Sequence, residues 1–113
     1  MENTNKKPTA EQLKAWREQY GKVFTLNSED EINGETLLLV IKKPSRASFE
    51  RFQDEALKKG AKTLQQFVKE NILFPEKEKV NEIFSDKPGL VSVIAEKLQD
   101  LMGLNVSFTM TES

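Results

Sequence analysis

Only carboxylates, lysines and hydroxyls could do chemistry in this 113-residue chain, because it contains no histidine and no cysteine. The commonest general base and metal ligand, the thiolate nucleophile and the disulfide are therefore all missing. The densest acidic run, Glu29-Asp30-Glu31, is followed by Asn33-Gly34, which matches the fifth and sixth positions of an EF-hand loop. An EF-hand counted from Glu29 needs a bidentate glutamate at its twelfth position, and that position is Val40, so the run reads as a solvated hairpin tip. Ser45 and Ser48 lack the lysine of a Ser-x-x-Lys nucleophile, the third residues after them being Ser48 and Arg51, and both read as helix caps.

Lys42-Lys43 and Lys58-Lys59 are flanked by apolar residues or carboxylates and read as solvated faces. Gly21, Gly34, Gly60, Gly89 and Gly103 each fall at an element boundary, so none builds a phosphate-cradling loop. Catalytic, metal and cofactor residues are accordingly assigned to no position, and the expectation is a non-enzymatic protein without cofactors. Catalysis by carboxylates or lysine is the one enzymatic class left open.

The elements that position these groups follow from periodicity. At this length one core can form without disulfide or metal staples. With a net charge of -1 and both signs interleaved, no footprint for nucleic acid or an anionic membrane is visible. The longest apolar run, Leu37 to Ile41, is far short of the ~20 residues of a spanning helix. Together with a polar N-terminus and no cysteine, this points to a soluble, cytoplasmic protein.

Residues 1–8 read as a disordered tail, 9–104 as one α+β domain, and 105–113 as a C-terminal tail, strand-like or disordered. Thr9 and Gln12 have capping-box spacing, and Leu13, Trp16 and Tyr20 form a stripe ending at Gly21, which predicts a first helix docked on a sheet. Lys22 to Leu26 alternates as a strand, and Asn33-Gly34 signals a hairpin. A two-residue turn there sets Leu26 opposite Ile41 and Ser28 opposite Leu39. Phe24, Leu26, Leu37, Leu39 and Ile41 then share one face.

About four helices should follow. Ser45 caps one carrying Phe49, Phe52 and Ala56, which closes at Gly60, with Arg51–Glu55, Asp54–Lys58 and Glu55–Lys59 as i,i+4 pairs. Leu64, Phe67, Val68 and Ile72 give the next stripe, ending before Pro75. Val80, Ile83 and Phe84 give a short helix. Val91, Ile94, Ala95, Leu98, Leu101 and Met102 give the last, stopped by Gly103.

Two apolar surfaces are left over. Leu38 and Val40 point away from the shared face, and leaving both exposed would forgo roughly 3 to 6 kcal/mol of burial. Either the first helix covers them or a second subunit does. In the tail, Val106, Phe108 and Met110 alternate with polar residues, the period of a half-buried strand. That segment is either a third strand of the same sheet, an unpaired tail, or a strand that pairs with the edge of another chain. Leu38, Val40, Val106, Phe108 and Met110 are thus the candidate partner contacts.

Trp16-Arg17, Tyr20-Gly21-Lys22-Val23, a strand ending at Lys43-Pro44, the Ser45-Arg46 to Phe49 and Phe52 helix start and an all-helical remainder also carry a likeness. Through them Leu13 to Phe52 resembles small bacteriophage and prophage proteins of the tail assembly chaperone type. The resemblance implies a protein of the bacterial host cytoplasm that self-associates and binds apolar segments of a tape measure protein, keeping them soluble while tail tube protein polymerises around them. The alternative expectation is a small cytoplasmic regulatory or adaptor module that binds another protein.

Overall fold

The computed structural model describes residues 7–28, 36–104 and 106–113. Helix α1 (Ala10–Tyr20) starts at the capping box expected of Thr9 and Gln12. The Gln12 amide donates to the Thr9 hydroxyl at 3.1 Å, and the Thr9 amide donates to Gln12 Oε1 at 2.9 Å. Gly21 ends the helix at φ 84°, a conformation that suits a residue without a side chain. Strands β1 (Val23–Asn27) and β2 (Leu38–Lys42) follow, then helices α2 (Arg46–Lys59) and α3 (Ala61–Glu70), strand β3 (Ile72–Phe74), and helices α4 (Lys77–Asp86) and α5 (Gly89–Leu101). This is an α+β fold, with one antiparallel sheet in the order β1-β2-β3.

The third strand is therefore Ile72–Phe74 and not the C-terminal tail, in which 106–113 forms no strand. Ile72 lies four residues after Val68 and extends the helical stripe on paper, but α3 stops before it. Asn71 Nδ2 donates back to the Phe67 carbonyl at 2.8 Å and takes up a free acceptor of the last turn. Beyond it Ile72 and Phe74 favour extended backbone, and Pro75 disfavours helical backbone at Phe74. The Lys42 amide then donates to the Asn71 carbonyl at 3.1 Å, which pins the end of α3 to the sheet.

The β1–β2 register also differs from the count through Asn33-Gly34. Leu26 faces Leu39 and Phe24 faces Ile41, a shift of two residues. Because side chains alternate with a period of two, such a shift leaves every residue on its expected face. The proposed turn itself, like residues 1–6 of the N-terminal tail, lies outside the described residues.

Helices cover one face of the sheet. Leu39 and Ile41 join Phe67 and Val68 of α3, Val80 and Phe84 of α4, and Val91, Ile94, Ala95 and Leu98 of α5 in one continuous buried cluster. Phe49 and Phe52 of α2 lean on its edge. Phe52 stacks on Phe67 with ring centroids 4.4 Å apart, and Phe49 meets Phe67 at 6.3 Å. At the rim Arg51 donates to both carboxylate oxygens of Glu70, tying α2 to α3. With side chains 45% and 32% exposed, this pair contributes at most about 1 kcal/mol.

The two serines of the α2 start have different roles. Ser45 is the N-cap, its hydroxyl accepting from the Ser48 amide at 3.0 Å. Ser48 is no cap: its hydroxyl is buried and makes no hydrogen bond among the described residues. Ser45→Ala should then cost about 1 kcal/mol, while Ser48→Ala should be neutral or slightly stabilising, because no partner is orphaned. Urea midpoints of the two variants check the contrast, and a larger loss at Ser48 would contradict it.

Candidate functional site

Of the five candidate contacts, Val40 is removed by the structure. It has 0% exposure and sits on the sheet face opposite the helical cluster. Its lateral neighbours are Thr25 and Phe74, and that face also receives Tyr20, whose ring lies 4.7 Å from Lys42 Nζ. The end of α1 is thus placed against the second face, as one of the two expected covers. A side chain with no surface cannot meet a partner while the chain stays folded. Leu38 on the same face is half-buried and keeps some surface at the far end of β2. None of the α1 residues is fully buried, and Leu13 and Trp16 are half-buried.

The tail behaves differently. Helix α5 ends in a Schellman motif, with the Leu104 amide donating to the Gln99 carbonyl at 3.2 Å, the Gly103 amide to the Asp100 carbonyl at 3.1 Å, and Gly103 at φ 92°. That turn frees the chain from the helix axis. Val106 is 57% exposed, Phe108 91% and Met110 96%. Burying side chains of this kind is worth about 1.5–3 kcal/mol each, so three of them on one alternating stretch are a concentrated apolar surface.

Among the described residues, no strand pairs with the outer edge of β1 or of β3. The β1 edge is five residues long. The β3 edge is three residues long, runs into Pro75 and borders an open groove of about 650 Å³. Ile72, Leu73, Pro75 and Val80 give that groove apolar walls, and Lys62, Lys69, Lys77, Glu70 and Glu76 ring it. Charges of both signs line it, so it presents no uniform field to a ligand. Among the described residues, no three His, Cys, Asp or Glu side chains gather as a metal site, and no helix is long and apolar enough to cross a membrane.

Alternation in the sequence marks Val106, Phe108 and Met110, whereas their exposure and the sheet edges depend on the fold and its strand order. A signal for the β3 edge was present in Ile72-Leu73-Phe74 before Pro75, although three residues are too few to show alternation.

Comparisons with known proteins bear on the fold and its extent. A family model described as "Domain of unknown function (DUF6848)" matches residues 16–111, a span that includes the exposed tail. Among solved structures, the chain is similar to "Structure of uncharacterised protein rbstp2171 from bacillus stearothermophilus", at a TM-score of 0.70 and 18% identity, covering 87% of this chain and 98% of that one. At that identity the likeness is one of fold. No curated protein matches the chain.

Proposed function

We propose, for a chain that belongs to the DUF6848 family, a non-enzymatic role as a tail assembly chaperone-like protein that self-associates and binds apolar segments of an elongated partner of the tape measure type. Its setting would be the cytoplasm of a phage-carrying bacterium. The observation that carries the reading is the alternating tail, which holds Phe108 and Met110 almost fully in solvent, in a chain whose sheet has no strand paired beyond β1 or β3 among the described residues. A segment of that pattern has affinity for strand edges and apolar surfaces, which is what a holder of unassembled chains requires. The family match supports the tail as part of the domain, since it runs to residue 111. The resemblance of Leu13 to Phe52 to tail assembly chaperones supplies the class of partner.

Co-expression with a tape measure protein tests the reading. The expected result is that the partner stays in the soluble fraction with the intact chain and precipitates with a chain cut after Gly103. Equal precipitation with and without the intact chain would overturn it. If the chain were instead an adaptor for another protein, it would be soluble and self-associated while leaving the tape measure protein insoluble.

A further inference from the structure

We propose that the tail of one copy adds as an antiparallel strand to the β1 edge of a second copy, with Phe108 opposite Leu26, Met110 opposite Phe24 and Glu112 opposite Lys22. The proposal rests on the self-association in the reading above and names the surfaces that produce it.

The hydrogen-bond phase of the sheet shows that β1 can accept a strand. Ser28 donates its amide to the Leu37 carbonyl at 2.8 Å. Antiparallel pairs alternate between bonded and non-bonded, so Leu26 and Phe24 also turn their backbone groups toward β2. The opposite side of β2 agrees with this phase, because the Lys42 amide bonds outward to Asn71 rather than to Val23. Val23, Thr25 and Asn27 therefore present their amides and carbonyls along the outer edge. Among the described residues, no backbone hydrogen bond outside the β1–β2 ladder reaches them. The β3 edge offers far less, since Leu73 alone lies between residues paired to β2 and Pro75 follows Phe74.

Length, facing and charge then select the occupant and its direction. The alternating stretch Val106 to Met110 is as long as β1. Phe24 and Leu26 are half-buried at the margin of the main cluster, so an added strand with its apolar side chains on that face would extend the core outward. Phe108 and Met110 are exposed in their own chain and available for this. In an antiparallel strand with that facing, Glu112 arrives at Lys22. A parallel strand that set Phe108 and Met110 against Phe24 and Leu26 would carry Glu112 to Ser28, away from Lys22.

The absence of cysteine makes the pairing measurable by directed disulfides. Thr25 and Thr109 are both exposed, fall opposite each other in the proposed register, and would be a bonded pair with Cα atoms about 5.5 Å apart, inside the span a disulfide accepts. Full-length Thr25→Cys protein is mixed with full-length, mass-tagged Thr109→Cys protein, oxidised mildly and followed on non-reducing gels. Ser107→Cys replaces Thr109→Cys as the off-register control. The mixed dimer with Thr109→Cys is expected to form about tenfold faster than with Ser107→Cys, because the control places the two sulfurs out of bonding reach.

Equal rates would overturn the pairing. So would a double variant, Thr25→Cys with Thr109→Cys, that links within one chain but not between chains. Light scattering on the unsubstituted protein separates the two levels. An oligomer without the register-specific link keeps the self-association of the proposed function and sinks this pairing alone, whereas a strict monomer sinks both.

Discussion

Phe67→Ala is expected to lower the unfolding free energy by about 3–5 kcal/mol, read as a fall in the urea midpoint at unchanged slope. Phe67 is 1% exposed and sits where three elements meet. It stacks on Phe52 of α2, tilts against Phe49, and belongs to the cluster that includes Ile41 and Leu98. Truncation removes the burial of the ring and leaves a cavity that rigid neighbours on a strand and two helices cannot fully collapse. A domain of this size has about 5–15 kcal/mol in total, so the variant would be marginal at ambient temperature. Val93→Ala on α5, at 53% exposure, serves as the comparison, with an expected change within about 0.5 kcal/mol. A loss below about 1 kcal/mol at Phe67 would contradict the packing described.

Val40→Asp is the second large effect, and it separates two meanings of an apolar sheet face. If Val40 were a partner contact, a carboxylate there would spare the fold and abolish association. Because Val40 is fully buried in the central strand, the carboxylate must be desolvated among apolar neighbours, at a cost of several kcal/mol. The expected outcome is a chain that loses its cooperative thermal transition in circular dichroism. A variant with the native transition and no association would restore Val40 to the contact surface.

Much of this fold was legible because local signals agree with one another. Thr9 with Gln12, Ser45, Gly21, Gly60 and Gly103 act as punctuation whose chemistry works within a few residues, and each falls at the element boundary expected of it. The faces of β1 and β2 survived a wrong register because parity, unlike register, is insensitive to a two-residue shift. What failed was non-local. The end of α3 depends on a buried asparagine and on a hydrogen bond from Lys42, neither of which a stripe of Leu64, Phe67, Val68 and Ile72 can reveal.

The candidate contacts divide in the same way. Alternation identified Leu38 and Val40 as facing away from the core, but whether a second face is covered depends on where α1 and β3 pack. Alternation likewise identified Val106, Phe108 and Met110 as strand-like, while a strand needs a partner, and the partner edge appears only once β1 is known to lie outermost.

The bond from the Lys42 amide to the Asn71 carbonyl joins the two halves of the chain, the hairpin and the helical remainder. Everything between those residues is the α2–α3 excursion, so this one bond forms only when that loop has closed on the sheet. The isotope exchange of that single amide proton with solvent deuterium is therefore a clock for partial opening. Lys42 exchanges whenever the helical half lifts from β2, even if the β1–β2 ladder stays intact.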